Sequence, residues 1–69
     1  MTTARSRTQI KRFWYDVGDG YWVEASETQA IWKTDKCYEI WEEGELPRFV
    51  ARFRRSKVLW VVDADGVAK

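Results

Sequence analysis

The chain has 69 residues, 33% of them charged and 16% aromatic, with one cysteine, no histidine and a formal net charge of +1. A chain this short forms one domain and buries only about 60% of its unfolded surface, so its core depends on large apolar side chains. One cysteine excludes an internal disulfide, and without histidine or a long apolar run we expect a cytoplasmic protein with no metal, cofactor or membrane partner.

The N-terminal region divides into a tail and a predicted hairpin. Residues 1 to 9 are small, polar and basic, and we predict a mobile tail in front of a single domain that covers residues 10 to 69. Inside the domain, the aromatic runs Phe13-Trp14-Tyr15 and Tyr21-Trp22-Val23 flank the turn signal Gly18-Asp19-Gly20. Two aromatic segments around such a turn predict a β-hairpin.

A first helix is predicted directly after the hairpin. The Ser26 hydroxyl can cap a helix N-terminus, and Gln29 stands where a capping-box partner reaches back. The helix would run from about Glu27 to Lys33 and bury Ala30 and Ile31. At two turns it could not form alone in water, so it must pack on a neighbour.

A second helix is predicted from Asp35 to Gly44, and it decides the fold class. At the helical period, Cys37, Tyr38, Ile40 and Trp41 fall on one side and the charged residues on the other. At the two-residue period of a strand, one face mixes Cys37 and Trp41 with glutamates, which favours the helix.

The ends of this segment support the helix. Thr34 can cap its first turn, Gly44 can take a left-handed conformation that ends it, Leu46 can fold back on the last turn, and Pro47 prevents continuation. If residues 38 to 43 formed a strand instead, the chain would be a small all-β, five-stranded SH3-like barrel.

A basic β-hairpin is predicted after the second helix. Phe49, Ala51 and Phe53 alternate with other residues, and Val58 to Val62 is rich in β-branched side chains, so residues 48 to 62 are predicted to form two strands. The link between them, residues 54 to 57, carries three cations. Charge is divided in the same way along the chain, with a basic start, an acidic middle and a basic hairpin.

Two short helices, a tight turn and a hairpin make an α+β winged helix-turn-helix. In these segments the sequence resembles the small winged-helix proteins of the phage excisionase and MerR-type group. The matching segments are Tyr21-Trp22-Val23-Glu24-Ala25, Thr34, Cys37-Tyr38, Gly44-Glu45-Leu46-Pro47-Arg48, the basic residues 52 to 57, and Trp60. The GELPR segment at its spacing from Tyr38 is the most specific of them.

The resemblance implies a non-enzymatic protein of a phage or prophage that binds double-stranded DNA. Its role would be that of an architectural factor in DNA recombination, such as an excisionase that sets the direction of recombination, or of a transcriptional regulator. An integrase or another protein would be its partner, and no small-molecule substrate is implied. The DNA contacts that the resemblance implies are Lys33, Thr34, Lys36, Arg48, Arg52, Arg54, Arg55 and Lys57.

Two further interpretations come from the residues themselves. The acidic face of the second helix, with Glu39, Glu42 and Glu43, would suit a protein-interaction module that meets a basic partner. The mixture of cations and aromatic groups would also suit base stacking on single strands, but a domain this small is expected to need its aromatic side chains inside. Catalysis is not expected, because the chain has no histidine to activate a nucleophile.

Overall fold

Antiparallel strands form most of the chain that the structure, a computed structural model, describes, which is residues 6 to 63. The strands in this range are β1 (Ser6–Arg7), β2 (Ile10–Tyr15), β3 (Tyr21–Glu24), β4 (Gln29–Lys33), β5 (Cys37–Glu42), β6 (Arg48–Arg54) and β7 (Val58–Asp63). The first sheet has the order β1-β4-β5-β6, and the second sheet has the order β3-β2-β7. A 3₁₀ turn, Arg55–Lys57, joins β6 to β7, and the described residues contain no α-helix.

The predicted N-terminal hairpin is confirmed. β2 and β3 pair antiparallel, with Trp14 opposite Trp22. Gly18 and Gly20 in the connection have φ angles of 55° and 75°, which glycine adopts at little cost. Gly20 also lies against the Trp14 ring, where an added Cβ would be 2.5 Å from Cζ2. The turn signal therefore shapes both the backbone and the packing of one tryptophan.

The first predicted helix is wrong, because residues 29 to 33 form strand β4. The contact that suggested a helix cap exists, since the Ser26 amide donates to Gln29 Oε1 at 3.0 Å and the Gln29 amide donates to the Ser26 carbonyl at 3.0 Å. These bonds close a turn that leads into a strand. Ala30 and Ile31 are buried as predicted, but in a sheet.

The second predicted helix is also wrong, because residues 37 to 42 form strand β5, paired with β4 on one side and β6 on the other. Tyr38 and Ile40 alternate toward the core. The opposite face mixes Glu39 with Trp41, as the strand period requires, and this face is stable because Trp41 Nε1 donates to Glu39 Oε1 at 3.0 Å. Because this buried glutamate has a hydrogen-bond partner, a strand face that mixes glutamate with tryptophan is compatible with the fold.

The residues at the predicted helix ends act differently. Thr34 accepts bonds from the Lys36 and Cys37 amides at 3.3 and 3.0 Å, as a cap would, but in the turn between β4 and β5. Gly44 has a φ of 151° in the loop before β6, and the Leu46 side chain is 90% exposed rather than packed on a helix.

The predicted wing is wrong in its pairing. Residues 48 to 54 and 58 to 63 are strands, but β6 pairs with β5 and β7 pairs with β2. The 3₁₀ turn at Arg55–Lys57 carries the chain from one sheet to the other. The α+β winged helix-turn-helix is therefore corrected to two antiparallel sheets, which fit the all-β alternative.

The core lies between the two sheets. Phe13 on β2 and Ile31 on β4 are fully buried, with 0% and 1% of their surface exposed. The Phe13 ring stacks on Tyr38 with centroids 5.4 Å apart and meets the Phe53 ring edge-on at 5.4 Å. Full burial of one such side chain contributes about 1.5 to 3 kcal/mol. The aromatic run of β2 thus joins the sheets through its inward residues.

Part of the predicted N-terminal tail is a strand of the first sheet. Ser6–Arg7, inside the predicted tail, form β1, which pairs with Lys33 and Trp32 of β4. The Thr8 amide then donates to the Ile31 carbonyl at 2.9 Å. The rest of the predicted tail, residues 1 to 5, and residues 64 to 69 lie outside the described range. No helix within residues 6 to 63 is both long enough and apolar enough to cross a membrane.

Candidate nucleic-acid interface

Part of the predicted DNA-contact set comes together at one end of the molecule. A cleft there is lined by Lys36, Arg54, Arg55 and Ser56, with Asp35 as the single acid among the lining residues. We call this group the basic cleft. Three cations and a hydroxyl around one depression can bind an anion such as a phosphate.

The basic cleft is assembled by strand pairing and by one arginine. Arg54 ends β6 directly opposite Cys37, which begins β5. The Arg55 amide donates to the Lys36 carbonyl at 3.0 Å, and Arg55 Nη1 donates to the carbonyls of Thr34 and Asp35 at 3.0 and 3.3 Å. Arg55 therefore holds the β4–β5 turn in place, while Lys36 and Arg54 are exposed.

Lys57 extends this basic end toward the second sheet. It is the last residue of the 3₁₀ turn and is exposed. Its carbonyl accepts a hydrogen bond from the Asp16 amide at 2.7 Å, and the next residue, Val58, lies opposite Tyr15. Lys57 thus lies where the basic cleft meets the start of β7.

The other predicted contacts do not line the basic cleft, and two of them, Thr34 and Arg52, already have partners within the chain. Thr34 is only 7% exposed, and its hydroxyl donates to the Cys37 carbonyl at 3.1 Å in addition to accepting two amides. Lys33 is exposed at the end of β4 but is not among the residues that line the cleft. Arg52 lies on the outer face of the first sheet, with Nε 3.4 Å from Glu39 Oε2. Arg48 begins β6, about 20 Å along the strand from Arg54 at roughly 3.3 Å per residue.

A row of tryptophans on the second sheet was missed by sequence reasoning. Trp22, Trp14 and Trp60 come from β3, β2 and β7 and lie side by side on the outer face. The Trp14 ring centroid is 5.5 Å from that of Trp22 and 5.6 Å from that of Trp60. Trp22 is 43% exposed and Trp60 is 52% exposed, whereas Trp14 is half-buried between them. We call these three residues the tryptophan row.

A β-bulge explains why β7 contributes so much exposed apolar surface. Between the pairs Phe13–Val61 and Tyr15–Val58, β2 has one residue, whereas β7 has both Leu59 and Trp60. Bulges of this kind turn side chains out of the regular alternation. Leu59 is 51% exposed as a result.

One cation accompanies the tryptophan row. The Arg12 guanidinium carbon lies 4.7 Å from the centroid of the Trp22 ring, within the range of a cation–π contact. Strand alternation could have located the row, because an inward Phe13 requires an outward Trp14. This signal is missed in the sequence analysis because a domain this small is expected to need nearly all its large apolar side chains inside.

The acidic residues do not form the exposed helical face that was predicted. Glu39 is 8% exposed. Glu42 accepts bonds from Gln29 Nε2 at 2.7 Å and from Thr28 Oγ1 at 3.2 Å, and Glu43 pairs with Arg7 at 3.0 Å. All three carboxylates are thus engaged by groups within the chain.

The described residues give no support for a metal centre, and similarity assigns no function. Within residues 6 to 63, no three or more Cys, Asp or Glu side chains are grouped so that they could hold a metal ion. Cys37 is half-buried, with Sγ 3.0 Å from the Thr34 hydroxyl. No protein-family model, curated protein or solved structure matches the chain.

Proposed function

We propose that this protein binds single-stranded nucleic acid, as a non-enzymatic cytoplasmic factor. The tryptophan row would stack on bases, and the exposed cations of the basic end would neutralise phosphates. The observation that carries the proposal is the exposure of Trp22 and Trp60 on either side of Trp14, on one sheet face. Exposed aromatic rings beside cations are the usual means of binding single strands without strict sequence preference.

Exposed cations lie beside the tryptophan row and at the basic end of the molecule. Four exposed cations flank the tryptophan row or the adjoining end of the molecule: Arg12, Lys36, Arg54 and Lys57. Trp60 is three residues beyond Lys57, so about 10 Å of strand separates the basic end from the row. A single strand has its phosphates and bases on opposite sides and could meet both regions at once.

Double-stranded DNA is the second candidate, now without a recognition helix. Leu59 and Trp60 are neighbours on the bulged edge strand and are each about half exposed. Apolar side chains at such a position can enter a minor groove and unstack a base step, which is how some architectural proteins bend a duplex. In this candidate the protein still acts as an architectural DNA-binding factor, but Leu59 and Trp60 contact the DNA in place of a recognition helix.

A salt-titrated binding assay tests both candidates. We would measure fluorescence anisotropy with a labelled oligo-thymidine strand and with a hairpin duplex of the same length. If four cations engage phosphates, log K should fall against log salt with a slope near about −2.8 for the single strand, and near about −3.6 if the duplex binds instead. Tighter binding to the single strand supports the first proposal. If neither the single strand nor the duplex binds, or if both affinities are unchanged by salt, nucleic-acid binding is overturned.

A further inference from the structure

A second aromatic site lies on the first sheet, away from the nucleic-acid interface. A cavity of about 130 Å³ is lined by Trp32, Trp41, Glu43, Gly44 and Pro47. We call it the indole cavity. It lies near the end of β5 that leads into Glu43, whereas the basic cleft lies at the start of the same strand. The two sites are therefore separated by the length of β5.

Strand register sets the spacing of the two indoles. Trp32 on β4 is directly opposite Glu39 on β5, and Trp41 is two residues further along β5 on the same face. Diagonal neighbours of this kind have Cα atoms about 7 to 8 Å apart, a distance at which two large side chains can line one cavity. The pair can therefore face a small guest from two directions.

The orientation of Trp41 is held by its neighbours. Its Nε1 donates to Glu39 Oε1 at 3.0 Å, and its ring meets that of Phe49 edge-on, with centroids 5.5 Å apart. A ring fixed at both its polar atom and its edge loses little freedom when a ligand binds. The wall is thus prepared for binding.

The charge of the lining selects the ligand. Glu43 is the charged residue among those that line the indole cavity, and the remaining walls are two indoles, a proline and a glycine. Indole faces attract cations through the ring quadrupole, and a carboxylate adds to that attraction. With so few acceptors, the cavity suits a cation that has no N–H groups to satisfy.

We propose that the indole cavity binds a quaternary ammonium group, of the kind found in trimethyl-lysine or choline. The cavity volume of about 130 Å³ supports a compact head group. The Glu43 carboxylate is 3.0 Å from Arg7 Nη2, so this ion pair lowers the charge that a ligand meets. The site is independent of nucleic-acid binding.

The test compares choline with 3,3-dimethyl-1-butanol, its neutral isostere, on the full chain. Indole N–H resonances are followed by ¹⁵N–¹H correlation spectra and assigned with single Trp→Phe variants. Choline should shift the Trp32 and Trp41 signals saturably, at least about fivefold more tightly than the isostere. Equal binding of the two compounds, or choline shifts confined to the tryptophan row, overturns the proposal.

Three charge variants sharpen the result. Glu43→Gln should weaken choline binding, whereas Glu45→Gln, in the same exposed loop but not lining the cavity, should leave it unchanged. Arg7→Gln should strengthen choline binding, because it releases Glu43 from its ion pair. Equal effects of Glu43→Gln and Glu45→Gln would show that the cavity does not hold the cation. Dispersed spectra establish that each variant is folded.

A final arm identifies the source of the ammonium group. A short peptide with trimethyl-lysine is compared with the same peptide carrying unmodified lysine. Preference for the methylated peptide over both lysine and choline assigns a modified protein tail as the ligand. Binding of choline with no gain from the peptide assigns a small molecule. If neither compound shifts Trp32 or Trp41, the proposal is overturned.

Discussion

The two sheets expose aromatic groups on their outer faces, but they use them differently. On the first sheet, the Trp41 N–H is bonded to Glu39, and Arg52 lies over the Phe49 ring at 5.5 Å while pairing with Glu39. On the second sheet, the tryptophan rings pack on one another, and Trp22 also meets Arg12, which lies opposite Glu24. The difference teaches that polar partners hold single rings of the first sheet in one orientation, whereas the rings of the second sheet support one another as a row.

The largest expected effect is at Gly20, which packs against Trp14 of the tryptophan row. Gly20→Ala should destabilise the fold by about 2 to 5 kcal/mol, because the residue has a φ of 75° and a Cβ would be 2.5 Å from Trp14 Cζ2. Gly18→Ala is the matched control, since it has a φ of 55° but nothing within 4 Å of its added Cβ. Urea denaturation should show the larger loss for Gly20→Ala. Equal losses would mean that Trp14 yields without cost.

On the first sheet, Glu39 is the residue whose loss should destabilise the outer face most. Glu39→Ala removes the acceptor for Trp41 Nε1 and the partner of Arg52, so we expect a loss of about 1 to 3 kcal/mol in the free energy of unfolding. Glu45→Ala, at an exposed loop position, should change stability by less than about 0.5 kcal/mol. The same Glu39 variant should bind nucleic acid normally. A large loss of affinity without a loss of stability would reverse the roles given to the two faces.

Trp60 provides the direct test of the second face. Trp60→Ala should weaken binding to oligo-thymidine by roughly 5- to 150-fold, which corresponds to about 1 to 3 kcal/mol of base stacking. Stability should change little, because the side chain is 52% exposed. Phe49→Ala is the matched control, since Phe49 is 43% exposed on the other sheet. If both variants bind equally well in anisotropy titrations, the row does not stack on bases.

The smallest expected effect separates two arginines of the same strand. Arg54→Ala should reduce the salt slope for a single strand by about 0.7, because one phosphate contact is lost. Arg52→Ala should leave the slope unchanged, since Arg52 does not line the basic cleft and its Nε lies 3.4 Å from Glu39 Oε2. Salt titrations of both variants check this. A slope that falls for Arg52→Ala alone would place the phosphate contact at Arg52 and not in the basic cleft.

Short-range signals could be identified from the sequence because their partners are near in the chain. The Gly18-Asp19-Gly20 turn, the Ser26–Gln29 contact and the capping bonds of Thr34 all occur, each within three residues or so. Two of these bonds suggested helix starts, but the same local bonds also close turns between strands. Local chemistry therefore located the turns and left the type of the next element open.

The candidate site was predicted only in part, for a similar reason. The resemblance predicts contacts at Lys36 in the second helix and at Arg54 and Arg55 in the wing. All three residues line one cleft, although the described residues contain neither that helix nor that wing pairing. Their proximity comes from the pairing of β5 with β6 and from the bonds of Arg55 to the β4–β5 turn. Strand alternation in the N-terminal hairpin could place Trp14 and Trp22 outward, but β7 is distant in sequence, so only the tertiary structure sets Trp60 beside them.

By itself, the sequence determined the N-terminal hairpin, the two extended segments after Pro47 and the supply of cations. Tertiary structure decided that residues 37 to 42 are a strand, because β4 and β6 supply backbone hydrogen bonds on both sides and Glu39 finds Trp41 and Arg52. It also decided that β6 and β7 belong to different sheets. A short segment can be compatible with both the helix period and the strand period, and the choice between them is made by neighbours that local sequence does not contain.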